Sequence, residues 1–96
     1  MRREIVLEIL TKYKNSSARK YNIDALGLFG SVARDEASSN SDVDIVIKTS
    51  NPDMFAMVHI KDELQELLSK NIDIVRLREK MNPFLKNRIE KDVIYV

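Results

Sequence analysis

The chain opens on a helical alternation. Ile5, Val6, Ile9, Leu10 and Tyr13 recur at three- and four-residue spacing with charges between them, which predicts an amphipathic helix over about residues 2–19. Ile23-Asp24-Ala25-Leu26-Gly27-Leu28-Phe29 is short and apolar and reads as a buried strand that stops at Gly30-Ser31. Val32 to Glu36 then suits a short helical turn capped by Ser31, and the Ser/Asn-rich stretch from Ala37 to Ser41 suits a loop. Val43, Ile45 and Ile47 alternate with Asp42, Asp44 and Val46, the period of a second strand. Ser50-Asn51-Pro52 looks like a helix start, and Met54, Met57, Val58, Leu64, Leu67 and Leu68 would line one face of a helix running to about Lys70. Ile72 to Leu77 forms a third strand. Asn82-Pro83 opens a last short helix to about Lys91, with an edge strand at residues 93–96.

This order predicts an α/β (α+β) fold in which helices pack on one small mixed β-sheet, with residues 1–96 as a single domain. There is no repeat, no low-complexity tract and no linker. A chain of 96 residues buries roughly two thirds of its surface on folding, enough for a core but not for a deep closed pocket.

Composition narrows the function by exclusion. Sixteen Lys/Arg stand against fifteen Asp/Glu, a net charge of +1, so strong nucleic-acid binding is not expected, although a small phosphate ligand needs only local positive charge. The chain has no Cys, which rules out disulfides and thiolate zinc sites and makes a reducing compartment the simpler expectation. No apolar run approaches the ~20 residues of a membrane span. Glu4 and Glu8 interrupt the apolar start, so it reads as a helix rather than a signal peptide. The expected location is the cytoplasm, without membrane association.

The chemistry concentrates in one stretch: Gly30-Ser31, ten residues, then Asp42-Val43-Asp44. Residues i and i+2 of a strand share a face, so Asp42 and Asp44 project together, about 6–7 Å apart. Val43 and Ile45 then face the core. Asp73 sits in a similar apolar strand, Ile72-Asp73-Ile74-Val75. Carboxylates embedded in apolar strands are costly unless compensated, and converging ones repel. A divalent cation resolves both problems, and Mg²⁺ is typically shared between a few carboxylates and substrate phosphates. Gly30 allows close backbone approach, and the following turn offers amides to an anion. Ser31 adds a hydroxyl, and Arg34 could reach a phosphate or brace the turn.

Each feature has a plainer reading. Gly-Ser occurs in many loops, Asp-x-Asp often marks a solvated strand start, and Asp73 could pair with Lys70 or Arg76. His59 reads as a helix-flank residue, and Met54, Met57, Leu64, Leu67 and Leu68 as core. Lys86, Arg88 and Lys91 read as a solvated face open to a partner, and Phe84 and Leu85 as the residues that dock the last helix. The combination of features is what points to a site.

That combination resembles the nucleotidyltransferase fold of DNA polymerase beta and kanamycin nucleotidyltransferase. In detail it is similar to the minimal nucleotidyltransferase (MNT) family of HEPN/MNT toxin–antitoxin systems. The resemblance rests on Gly30-Ser31-Val32-Ala33-Arg34, on Ser41-Asp42-Val43-Asp44-Ile45-Val46, and on the ending Ile89-Glu90-Lys91-Asp92-Val93-Ile94-Tyr95. It implies that Asp42, Asp44 and Asp73 are catalytic and bind Mg²⁺ (two ions, with Mn²⁺ an alternative). It also implies that Gly30 and Ser31, with Arg34, bind the nucleotide, and that ATP is the substrate. One departure is Asp35, where many members have Gly; it opens an Arg34–Asp35 pairing. Larger enzymes of this fold carry a second, acceptor-binding domain, for which 96 residues leave no room. The family resemblance therefore implies a separate acceptor, a HEPN-domain RNase toxin that receives AMP on a Tyr. Two alternatives are nucleotidylation of a small molecule with a partner subunit, and a non-catalytic module that neutralises a partner sterically.

Overall fold

The computed structural model describes residues 2–96; residue 1 of the expected 1–96 domain lies outside them. The elements run in the order α1 (Arg3–Tyr21), β1 (Ile23–Phe29), α2 (Gly30–Ala33), β2 (Val43–Thr49), α3 (Met54–Leu68), β3 (Ile72–Arg76), α4 (Pro83–Asp92) and β4 (Ile94–Tyr95). The strands form one mixed sheet in the order β3-β2-β1-β4. β1 runs antiparallel to both β2 and β4, whereas β2 and β3 are parallel and joined through α3. The expected α/β architecture, a small mixed sheet with helices packed against it, is the one observed.

The sheet's two faces carry two cores, and strand periodicity sorts residues between them. On one face Leu26 and Leu28 of β1, and Val43, Ile45 and Ile47 of β2, pack with Val6, Leu10 and Tyr13 of α1 and Ile60, Leu64 and Leu68 of α3. On the other face Phe29 and Val46 pack against Ile89 of α4, with Leu85 and Val75 alongside. Asp44 and Asp73 precede Val46 and Val75 by two residues, so they belong to this second, smaller face.

Several local expectations shift. α1 runs on to Tyr21 and ends where Asn22 takes a left-handed conformation (φ 56°), which Asn tolerates better than most residues. α3 starts at Met54, not at Ser50-Asn51-Pro52. Its cap is Asp53, whose side chain accepts a hydrogen bond from the Phe55 amide at 2.9 Å. The buried stripe of α3 is Ile60, Leu64 and Leu68, spaced one turn apart, with Met57 only partly buried beside it. Met54 (81% exposed), Val58 and Leu67 fall off that stripe and face solvent, against the expectation that they were core. The same geometry corrects Phe84. Asn82 caps α4 by accepting from the Phe84 and Leu85 amides, and Leu85 and Ile89 then turn to the sheet while Phe84 is 80% exposed. No described helix is long and apolar enough to cross a membrane.

Candidate active site

The site forms where β1 ends and β2 and β3 begin. Asp44 and Asp73 are register partners on the parallel pair β2–β3, so their side chains leave the same face of neighbouring strands roughly 4.8 Å apart. Asp42 lies just before β2 and is exposed, as is Asp73, whereas Asp44 is half-buried. Asp44 also pairs across β1–β2 with Phe29, the last residue before Gly30. The turn motif and the paired carboxylates are thus brought together by sheet register, although twelve residues lie between Ser31 and Asp44 and forty-one between Ser31 and Asp73.

Gly30 fits this arrangement in two ways. Its φ is +76°, in the left-handed region that favours glycine. A Cβ at this position would collide with the Asp44 carboxylate oxygen Oδ2. Position 30 therefore needs glycine because the Asp44 carboxylate lies against its Cα. The expectation that Ser31 caps the turn is not met: α2 spans Gly30–Ala33, its capping position is Phe29, and no side chain caps it. Ser31 lies inside the first turn, and its carbonyl accepts from the Glu36 amide at 2.8 Å, which closes the loop.

The electrostatics follow from the crowding. The Asp44 carboxyl is held above its ordinary value of 3.8, first by burial and then by the neighbouring Asp73, with Asp42 adding in the same direction. Arg88 and Arg34 act against this shift. Asp73 makes no ion pair with Lys70 or Arg76 among the described residues; Lys70 donates instead to the Ser39 carbonyl at 2.6 Å. Among the described residues no group of three His, Cys, Asp or Glu side chains is placed to hold a metal ion by itself. The carboxylates form an open set, a half-buried anion with like-charged neighbours. That suits an ion whose remaining ligands come from water and substrate phosphates.

Arg34 does not pair with Asp35. Its guanidinium donates to Asp92 Oδ2 at 2.6 Å and to Glu36 at 3.1 Å. The Asp92 side chain is only 9% exposed. Asp35 itself has φ +60°, which explains in backbone terms why glycine suits that position and why Asp, a residue that tolerates this region, can replace it. Sequence reading gave Asp92 no role of its own and placed Arg88 on a solvated helix face; the available signal was their one-turn spacing on the last helix.

Residues 11–96 match the family described as polymerase beta, nucleotidyltransferase. The chain belongs to this nucleotidyltransferase family. A relative from Methanocaldococcus jannaschii, named as a candidate protein adenylyltransferase, is 36% identical over 92 residues, covering 95% of this chain and 94% of the relative. A solved structure of a candidate minimal nucleotidyltransferase superposes with a TM-score of 0.78 at 26% identity, covering 98% of this chain and 95% of that one. The fold is also shared with a chain from the complex of a tri-AMPylated Shewanella oneidensis HEPN toxin and an MNT antitoxin. There the TM-score is 0.68 at 19% identity, covering 97% of this chain and 70% of that one. In this nucleotidyltransferase, then, the Gly-Ser turn and the Asp-x-Asp strand lie side by side at one end of the sheet, and the first two of these proteins match it across nearly their whole length.

Proposed function

We propose that residues 1–96 act as one catalytic domain that transfers AMP from ATP to a protein hydroxyl, a Tyr of a HEPN-domain toxin, and thereby serve as an antitoxin. The observation that carries this reading is that Asp44, the register partner of Asp73, lies directly against Gly30 in a chain of this family. The M. jannaschii relative, named for protein adenylylation, and the AMPylated toxin in the related complex support the acceptor assignment.

Asp42, Asp44 and Asp73 would hold Mg²⁺ or Mn²⁺, which when bound neutralises phosphate charge. The half-buried Asp44 is the ligand with most to gain, because its charge is the least solvated of the three. Gly30 lets the backbone approach the β- and γ-phosphates, and Ser31 donates its hydroxyl to them. The acceptor oxygen attacks the α-phosphorus, the bond from that phosphorus to the bridging oxygen breaks, and pyrophosphate leaves. Asp73 is the best-placed base for the acceptor's proton. It is exposed and comes from the edge strand β3, on the side an incoming protein can reach.

The competing reading is steric neutralisation without catalysis. It is tested by the paired variant Asp42→Ala with Asp44→Ala, co-expressed with a HEPN-domain toxin that the parent chain neutralises. Catalysis predicts that the folded variant still binds the toxin but no longer silences it. A folded double variant that protects cells as the parent does would sink the enzymatic reading.

A further inference from the structure

We propose that Arg88 is the cation that binds the phosphate chain of the nucleotide, while Arg34, the arginine of the turn motif, is held by Asp92 as part of the scaffold. The inference rests on the nucleotidyl-transfer reading above and adds a binding residue to it.

A polyanionic triphosphate beside three carboxylates needs positive charge beyond the metal. Two arginines stand on the elements around Asp44: Arg34 at the end of the Gly30–Ala33 turn, and Arg88 on α4, which packs over the sheet face from which Asp44 projects. Arg34 is committed. Its guanidinium sits 2.6 Å from an Asp92 oxygen and 3.1 Å from Glu36, holding two carboxylates at once. Turning Arg34 toward a phosphate would break both ion pairs and leave the carboxylate of the half-buried Asp92 without its partner. The pair instead ties the end of the Gly30–Ala33 turn to the last turn of α4.

Arg88 is in the opposite position. It lies one helical turn before Asp92, so the two share a side of α4. Ile89, fully buried against Phe29 and Val46, fixes that stretch of helix over the sheet face from which Asp44 projects. The Arg88 side chain is exposed and has no carboxylate within ion-pair reach among the described residues. A long, uncommitted guanidinium, its backbone anchored over the face from which Asp44 projects, is suited to fork onto phosphate oxygens. The sequence pattern alone assigned it to a solvated helix face.

The test is calorimetric titration of the full chain with a non-hydrolysable ATP analogue in Mg²⁺, with adenosine as a control lacking phosphates. Arg88→Ala should weaken binding of the analogue about ten- to a hundredfold, the worth of charge-assisted hydrogen bonds, and Arg88→Lys should recover part of the loss. The salt dependence of analogue binding should also become shallower in Arg88→Ala, which a purely structural role would not produce. The paired variant Arg34→Gln with Asp92→Asn loosens the strut without stranding the Asp92 charge, and should lose less affinity than Arg88→Ala. Arg88→Ala binding the analogue as the parent does would overturn the proposal, as would a larger loss in the paired variant or an equal loss for adenosine. A parent chain that fails to bind the analogue at all would overturn the transfer reading itself, which separates the two failures.

Discussion

Asp44→Asn should abolish nucleotidyl transfer and yet leave the metal-free protein more stable at neutral pH. The loss follows from removing the charge of the least solvated carboxylate in the set. Metal-assisted charge stabilisation is worth several kcal/mol, so the rate should fall by about a hundred- to ten-thousandfold. The gain follows from linkage. The folded-state pKa of Asp44 lies above its ordinary value of 3.8, chiefly through burial and then through Asp73. Between the ordinary and the raised value the folded chain holds more protons than the unfolded one, so stability falls as pH rises through that window. The parent has lost this contribution by neutral pH, and Asn, which does not ionise, does not lose it. Thermal melts of metal-free protein should therefore show the variant above the parent at pH 7, with the difference shrinking as pH falls toward 3.8. Added Mg²⁺ and nucleotide should raise the parent's midpoint and not the variant's. A variant that melts below the parent at pH 7 while keeping its activity would contradict both halves of the argument.

Gly30→Ala should be the most damaging single methyl group that can be added to the turn. Two separate costs meet there. The backbone has φ +76°, and a Cβ would collide with Asp44 Oδ2 and stand 3.0 Å from its Cγ. A left-handed non-glycine residue at a functional turn costs on the order of 1–3 kcal/mol, and relief of the collision must displace the Asp44 carboxylate. Denaturant melts should show the stability loss, and transfer activity should be absent even in the folded fraction. The costs can be separated in a double-mutant cycle. In an Asp44→Ala background the collision is removed while the backbone strain remains, so Gly30→Ala should cost less there than in the parent. Equal costs in the two backgrounds would show that the carboxylate does not press on Gly30.

How much of this was legible in the sequence depended on whether a feature was local or set by register. β2 could be read from period-two alternation, β1 and β3 from short apolar runs, and the long helices from helical alternation, because each of these signals lies within one stretch of chain. The shared face of Asp44 and Asp73 with Val46 and Val75 also followed from alternation. Their direct pairing did not: it depends on the parallel register of β2 with β3, which no local pattern encodes. The Gly30–Asp44 contact is hidden for the same reason. Helix faces were read less well. Met54, Val58, Leu67 and Phe84 are apolar at plausible positions, yet α3 and α4 use narrow stripes, Ile60-Leu64-Leu68 and Leu85-Ile89, and leave the others outside. Arg34 illustrates the limit for charges. The motif left open whether it reaches a phosphate or braces the turn, and it could not show its partner Asp92, which is 58 residues away in sequence.

The central claim is covalent transfer of AMP to a protein partner, and intact mass spectrometry of that partner tests it most directly. A HEPN-domain protein that binds this chain is incubated with it, ATP and Mg²⁺, then weighed, with pyrophosphate assayed in the same reaction. The account predicts a mass gain of one or more AMP units on a Tyr, matched by released pyrophosphate and absent with Asp44→Asn. A partner that is fully neutralised while its mass is unchanged would contradict it.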